Sequence, residues 1–142
     1  MLKARFMTAE EIAGQVSSNK TICTIGMTLV SASESILKAL EKRFLETGAP
    51  NNLTLLHSCG QSDRKDGIQH FAHPGFVTRI IGSHWGLQPR WMDMIANNNV
   101  EAYCMPQGQI AQLYRSMACG LPGKISKVGL GTFVDPRVEG GK

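Results

Sequence analysis

The chain has 142 residues, of which 42% are hydrophobic and 18% are charged, a balance typical of one globular domain with a hydrophobic core. The formal net charge of +4 favours anionic partners in general, but the basic residues are scattered and lack aromatic residues between them, so a nucleic-acid partner is not expected. The first residues contain no apolar stretch long enough for a signal peptide or a membrane span, and we therefore expect a cytoplasmic protein without a membrane partner.

The four cysteines are widely separated along the chain, and none has a second cysteine at the CxxC spacing. In a chain without a secretory signal, such cysteines are expected to be buried thiols rather than a disulfide framework. They are Cys23, Cys59, Cys104 and Cys119.

The first predicted element is a short helix that begins at a capping box, Thr8-x-x-Glu11, in which each residue's side chain bonds the other's backbone. A second box, Ser31-x-x-Glu34, predicts a longer helix that ends at Gly48. One face of this helix carries four apolar residues: Ile36, Leu37, Leu40 and Phe44.

Short apolar runs rich in β-branched residues predict five buried strands. They span residues 21–25, 53–57, 77–82, 100–104 and 125–130, and helical patterns cover residues 89–98 and 110–119. Because parallel strands need crossover helices and are buried on both faces, the alternation predicts an α/β fold, an open and mostly parallel sheet with helices on both faces. We assign residues 1–142 to a single domain.

Ligands of open α/β sheets bind outside the carboxyl ends of the strands, so the loops after the strands are the candidate site. The loop that begins at Gly26 precedes a helix whose first amides are able to hold an anion. The chain has neither GxGxxG nor GxxxxGK[ST], so a dinucleotide or ATP site is not expected, and an ordinary turn stays the simpler interpretation. After the fourth strand, Gln107 is able to bond a carbonyl or carboxylate, although residues 105–108 are also typical of a proline-glycine turn.

Two pairs of side chains suggest metal ligands, since imidazole and thiolate are suitable donors. They are His57 with Cys59 and His70 with His73. Neither pair has a convincing second half, so we expect no metal site and interpret the histidines as core or loop residues. A nucleophilic cysteine would need a histidine beside it, and Cys59 is the one thiol in a predicted strand-end loop.

Several of these segments resemble the family I coenzyme A transferases, in particular the single-chain propionate or acetate CoA-transferases. The matching stretches are GSHWG (82–86), EAYCMPQG (101–108), LPG (121–123) and VGLGTFVDPR (128–137), followed by GGK (140–142). The resemblance extends from about Thr8 to Lys142. It implies a ping-pong transfer of CoA between an acyl-CoA and a short-chain carboxylate, with coenzyme A as a substrate and no separate cofactor.

In enzymes of this kind a glutamate attacks the thioester, and backbone amides and a glutamine stabilise the oxyanions. The resemblance implies that Gln107 and Gly108 form the turn that faces this glutamate, and that Gly131 and Thr132 line the same cleft. Gly26 matches the start of the family's glycine-rich first loop, followed here by Met27 and Thr28. This sequence departs there, because residues 27–30 are larger than the glycine-type residues usual in the family.

The nucleophilic glutamate belongs to the second half of the family's fold, so the resemblance implies an amino-terminal (alpha) half with no catalytic residue of its own. We therefore expect residues 1–142 to be incomplete relative to the full enzyme and inactive alone. Their partner would be the beta half, on the same longer chain or on a separate subunit, within a homo-oligomer. The alternative is a non-catalytic α/β module that binds a nucleotide or a small carboxylate.

Overall fold

In the computed structural model, residues 4–138 and 140 are described, and the chain begins with the capping box expected from the sequence. Helix α1 spans Ala9–Gln15. The Thr8 hydroxyl accepts a hydrogen bond from the Glu11 amide at 3.2 Å, and the Glu11 carboxylate accepts one from the Thr8 amide at 2.7 Å. The prediction of the first box is confirmed.

Helix α2 spans Glu34–Thr47 and ends, as expected, at Gly48 in the left-handed conformation. The predicted second capping box is wrong, because the residue that precedes the helix is Ser33, and its side chain makes no capping bond. The cause is the preceding loop: Met27 and Val30 pair as a short bridge, and Ser31 takes a φ of 63° there.

Four parallel strands form one sheet in the order β1-β2-β3-β4. They are β1 (Thr21–Thr24), β2 (Leu53–His57), β3 (Val77–Gly82) and β4 (Glu101–Cys104). Consecutive strands are joined through α2, a 3₁₀ segment (Gly67–Phe71) and helix α3 (Pro89–Ala96). Helix α4 (Gln107–Ala118) and a second 3₁₀ segment (Pro136–Val138) follow β4. The predicted α/β class with a parallel sheet is confirmed.

The hydrophobic core lies on one face of the sheet, where α2, the first 3₁₀ segment and α3 pack. Leu55 and Ile80 are fully buried on this face, and Trp91 of α3 is fully buried against it. Successive side chains of a strand point to opposite faces. Cys23 therefore faces away from the core, and Tyr114 of α4 lies beside it, so α4 covers part of the other face. Burial there raises the pKa of Tyr114.

Two expectations about burial are wrong. The edge strands β1 and β4 are only half-buried, whereas the central strand β2 is nearly closed to solvent. The cysteines are not buried thiols either, since Cys23 and Cys119 are exposed and Cys59 and Cys104 are half-buried, although all four are free as expected. The edge position explains the two strands and their thiols, Cys23 and Cys104, because an edge strand has a neighbour on one side only. Cys59 lies in the loop after β2 and Cys119 at the end of α4, and neither position encloses the side chain.

Residues 125–130 do not form the predicted fifth strand but run as coil and turn. The side chain of Ile125 is 99% exposed and that of Val128 is 60% exposed. An apolar run becomes a buried strand only where a sheet and a covering layer receive it, and the described chain provides neither here.

Across the described residues, no helix has the length and apolar character needed to cross a membrane.

Candidate functional site

The loops predicted to carry the site lie at one edge of the sheet. Because all four strands are parallel, the loops that begin at Gly26 after β1 and at Met105 after β4 leave the same, carboxyl edge. Neighbouring strands are spaced about 4.8 Å apart, so β1 and β4 are separated by about 14 Å along this edge. Gly26 and Gln107 therefore share an edge but lie near its opposite corners.

An open cleft of about 370 Å³ lies at the β4 corner of this edge. Its walls are the loop after β3, the start of α4, and residues 128–129 and 132–134 of the segment that follows α4. Its polar lining includes Ser83, His84, Cys104, Gln107 and Thr132, and Phe133 is prominent on its apolar side. The structure thus brings together two of the predicted site residues, Gln107 and Thr132.

Hydrogen bonds between strand ends position the wall after β3. The Ser83 hydroxyl donates to the carbonyl of Ser58 at 2.8 Å, and the Cys104 thiol donates to the carbonyl of Ser83 at 3.2 Å. Burial raises the pKa of Cys104. Its thiol is therefore protonated at neutral pH and is a structural donor rather than a nucleophile.

His57, the last residue of β2, is fully buried beneath this wall. Its Nδ1 lies 2.7 Å from the carbonyl oxygen of Cys59. The His57 ring packs edge-on against the Trp85 ring, with 5.1 Å between the ring centroids. Burial lowers the pKa of His57 to about 4, so the neutral ring donates from Nδ1 to the carbonyl. This agrees with the interpretation of His57 as a core residue, since its ring is buried and bonds the Cys59 backbone rather than the thiol.

The opposite wall is held in shape by Asp135. Its carboxylate pairs with the Arg137 guanidinium at 2.6 Å and accepts hydrogen bonds from the amides of Gly131 at 2.7 Å and Arg137 at 3.0 Å. The Arg137 side chain first, and then these amides, hold the pKa of Asp135 well below its usual range. Gly131 thus anchors the turn from outside the cleft, while Thr132 lines it.

Gln107 and Gly108 are the first two residues of α4 rather than a turn before it, so α4 begins three residues earlier than predicted. Pro106 precedes them and is suited to the start of a helix, where it interrupts no helical bond. Gln107 is exposed at the cleft, and its own backbone amide is among the first amides of α4, which have no acceptor within the helix. The Gln109 amide already donates to the Pro106 carbonyl at 2.9 Å. Gly108 is exposed as well, but it does not line the cleft.

The first loop does not reach the cleft directly. Gly26 has a φ of 149°, and a Cβ atom added to it would lie 2.8 Å from the carbonyl oxygen of Val30, so the tight loop requires glycine there. The Thr28 amide donates to the carbonyl of Gly60 at 3.0 Å. Gly60 in turn packs closely against His84 of the cleft wall. Gly26, Met27 and Thr28 are therefore connected to the cleft through one intervening loop.

A network of ion pairs, which the sequence did not reveal, lies between α2 and the first 3₁₀ segment. His70 bridges Glu34, 2.7 Å away, and Glu41, while His73 contacts Glu41 at 2.7 Å. Glu34, Asp66 and His70 have the spacing of metal ligands. However, both ring nitrogens of His70 bond carboxylates, and Lys38 contacts Glu34 and Asp66 at 3.2 and 3.3 Å. These contacts describe a charge network that joins two elements.

An open parallel sheet with a cleft at its carboxyl edge, and without a dinucleotide or Walker fingerprint, defines the chain as an α/β domain whose candidate ligand site lies in its strand-end loops. The family model for coenzyme A transferase matches residues 6–142. The chain belongs to this family, as its resemblance implied.

Curated relatives and solved structures agree with the family model. The chain is 39% identical over 140 residues to a caffeate CoA-transferase of Acetobacterium woodii, covering 98% of this chain and 27% of that protein. It is 25% identical to the acetate CoA-transferase subunit alpha of Escherichia coli K12, covering 94% of this chain and 58% of that subunit. The structure of the acyl-CoA transferase YdiF from Escherichia coli O157:H7, a thioester complex with CoA, matches with a TM-score of 0.89 and 36% identity, covering 96% of this chain and 28% of that one. The chain thus spans about a quarter of its more similar relatives.

Proposed function

We propose that this chain forms the amino-terminal, alpha-type portion of an enzyme that transfers CoA from a short-chain acyl-CoA, such as acetyl- or propionyl-CoA, to a free carboxylate. The observation that carries the proposal is the family match across residues 6–142, combined with the meeting of Gln107 and Thr132 in one cleft. The same match disfavours the alternative of a non-catalytic binding module.

The proposed reaction has two half-reactions. A glutamate carboxylate attacks the thioester carbonyl, CoA leaves as a thiolate, and an acyl-glutamyl anhydride remains. The thiolate then attacks the glutamyl carbonyl, which releases the first carboxylate and forms a glutamyl-CoA thioester. The second carboxylate then attacks the glutamyl-CoA thioester and displaces the CoA thiolate, which attacks the carbonyl of the new acyl group in the resulting anhydride. A sulfur-carbon bond to the new acyl group thus replaces the one broken at the start, and the glutamate carboxylate is released.

In this scheme Gln107 donates a hydrogen bond to the oxyanion that forms at each attack. Its exposed side-chain amide and its backbone amide, at the start of α4, offer donors on one side of the cleft. The Thr132 hydroxyl already donates to the carbonyl of Gly129 at 2.7 Å, so its role is to shape the opposite wall. Gly26, Met27 and Thr28 contribute to substrate binding through the neighbouring loop, with residues 27–30 affecting which acyl group fits.

The nucleophilic glutamate is proposed to lie outside this sequence. Among the described residues, no glutamate lines the cleft. Glu11 caps α1, Glu34 and Glu41 bond histidines, and Glu101 pairs with Arg79. Glu139, which the sequence places nearest to the cleft, lies outside the described residues.

Large apolar side chains remain exposed around the carboxyl edge and the segment after α4, which supports a beta-type partner and an oligomer of the complete enzyme. The most exposed are Ile125 (99%), Phe133 (78%), Val138 (69%), Ile25 (68%) and Val30 (66%). We propose that the beta half, on the same chain or a separate one, covers this surface. A cytoplasmic location, where acyl-CoA is available, is part of the same proposal.

A chimera tests the proposal. This chain replaces the corresponding quarter of the Acetobacterium woodii caffeate CoA-transferase, and exchange of CoA from acetyl-CoA to propionate is measured. We expect turnover by the chimera, with a glutamyl-CoA thioester that borohydride traps on the other part of the protein. A chimera that folds and assembles like its parent but transfers no CoA would contradict the proposal.

A further inference from the structure

A second pocket, of about 360 Å³, lies at the other corner of the carboxyl edge, between β1 and the start of α2. Its floor belongs to the hydrophobic core and is built by Ile36, Leu37, Leu40 and Phe71. Its volume is within the range of small-ligand sites. The floor therefore suits an alkyl or aryl group.

Two buried polar groups on this pocket lack hydrogen-bond partners within the described part of the chain. The Gln61 side chain is 1% exposed, and its Nε2 atom has no hydrogen-bond partner. The buried hydroxyl oxygen of Thr24 also has no hydrogen-bond partner. Both residues line the pocket. Buried polar groups are nearly always paired in folded proteins, so an amide N–H₂ and a hydroxyl left unpaired indicate a missing acceptor.

The amino terminus of α2 opens onto the same pocket. This helix is 14 residues long, and Ser33, which precedes it and lines the pocket, makes no capping bond with its side chain. The first amides of a helix lack helical partners and favour an anion. Glu34 in this turn is already engaged, since its carboxylate bonds Lys38 at 3.2 Å, His70 at 2.7 Å and the Gly67 amide at 3.0 Å.

We propose that this pocket binds a small monocarboxylic acid. Its carboxylate accepts hydrogen bonds from Gln61 and from the first amides of α2, and its apolar tail lies on Leu37, Leu40 and Phe71. The pocket is separated from the cleft at Gln107 by the width of three strand spacings, about 14 Å. A short acid is too small to occupy both, so this is a second site whose existence does not depend on the transfer reaction.

The test uses the whole chain and butyrate as the probe, followed by ¹H–¹⁵N spectra at pH 7. We expect saturable shifts in the Gln61 side-chain amide and in the backbone amides of Ser33, Glu34 and Ser35. Butyramide, which has the same shape without the charge, should bind at least ten times more weakly. In Gln61→Leu, which keeps the volume and removes the donor, the response of the α2 amides to butyrate should weaken at least tenfold.

The matched control is Gln112→Leu on the exposed side of α4, which should titrate like the unaltered chain. Should Gln61→Leu fail to fold, Ile36→Phe fills the pocket and should abolish the same response. Shifts confined to the cleft residues Gln107 and Thr132, equal binding of butyrate and butyramide, or a response that does not saturate would each overturn the proposal. Since no turnover is measured, an inactive chimera would leave this result unaffected.

Discussion

The Nε2 atom of His57 lies 2.3 Å from the position that a Cβ atom on Gly82 would occupy. Gly82 ends β3 and leads directly into Ser83 and His84, which line the cleft. Because the His57 ring is fully buried and bonded to the Cys59 carbonyl, it has little room to retreat. The close approach of these two residues therefore sets the position of the cleft wall.

We predict that Gly82→Ala lowers the free energy of unfolding by about 1–3 kcal/mol, because the added methyl group overpacks the His57 ring. Denaturant unfolding followed by circular dichroism measures the change. Combining it with His57→Ala should restore part of the loss. Gly108→Ala is the control: no atom lies within 4 Å of its added Cβ, so it should leave stability unchanged or raise it by up to about 1 kcal/mol. Equal denaturant midpoints for the unaltered chain and the Gly82→Ala variant would contradict the prediction.

Stability should also fall as the pH drops from about 6.5 to about 4. Burial lowers the pKa of His57 from 6.5 to about 4, so the unfolded chain takes up a proton in this window and the folded chain does not. Neutral His57 therefore makes its full contribution to the free energy of unfolding above pH 6.5. This contribution is lost as the pH falls towards 4, and the free energy of unfolding decreases by about 3 kcal/mol.

His57→Asn, which keeps a donor near the Cys59 carbonyl, should flatten this pH dependence. The exposed His84 gives the control, because its charge is only the smallest of the causes that act on the pKa of His57. His84→Asn should therefore keep most of the original slope. Unfolding midpoints measured at half-unit pH intervals provide the comparison. A slope unchanged in His57→Asn would show that another group is responsible.

Glu41 should add a further loss of stability below pH 4.5. Its burial alone would raise the pKa, but hydrogen bonds from His73 and His70 outweigh it and hold the pKa of Glu41 below its ordinary value of 4.5. A lowered carboxyl pKa stabilises the fold above the unfolded value and loses this effect as the pH falls through the folded value. Glu41→Gln should cost about 1–3 kcal/mol at pH 7 and reduce the acid sensitivity.

The matched control for Glu41 is Glu46→Gln on the same helix, where the side chain is 62% exposed and pairs only loosely with Lys42 at 4.0 Å. Its free energy of unfolding should change by less than about 0.5 kcal/mol. If both variants lose stability equally, the network around His70 is not what joins α2 to the 3₁₀ segment.

In the chimera, Gln107→Ala should reduce turnover by roughly a hundred- to a thousandfold while changing stability by about 0.5 kcal/mol or less. The large effect on rate is expected because an oxyanion donor acts mainly on the transition state. Steady-state kinetics and an unfolding curve on the same preparation measure both quantities. Gln112→Ala, exposed later on the same helix, is the control and should keep full turnover. Unchanged turnover in a folded Gln107→Ala would refute the role.

The chain alone should transfer no CoA, because the described glutamates are engaged elsewhere or distant from the cleft. An exchange assay with acetyl-CoA and propionate, followed by borohydride treatment and mass spectrometry, tests this expectation. Turnover at ordinary enzyme rates, or a CoA adduct on one of the chain's own glutamates, would show that the nucleophile is present here. The peptide that carries the adduct would then identify it.

The sequence by itself determined the elements whose signals are local. The box at Thr8 and Glu11, the helix end at Gly48, and strands β2 and β3 follow from the chemistry of a few neighbouring residues, and the structure confirms them. Strand and helix alternation also fixed the parallel sheet, because parallel strands require crossovers. The family was recognisable from short stretches such as residues 101–108 and 128–137, and the family model confirms it.

Only the tertiary structure decided what depends on distant partners. The apolar run at 125–130 has the composition of a strand, but no neighbouring strand receives it. Ser31 has the spacing of a helix cap, but the bridge between Met27 and Val30 turns it away. His70 meets Glu34 and Glu41 across 36 and 29 residues of sequence, and Gln107 and Thr132 line one cleft because the segment after α4 returns to the start of that helix. No local pattern encodes such contacts, since they arise when the sheet's order brings separate loops together.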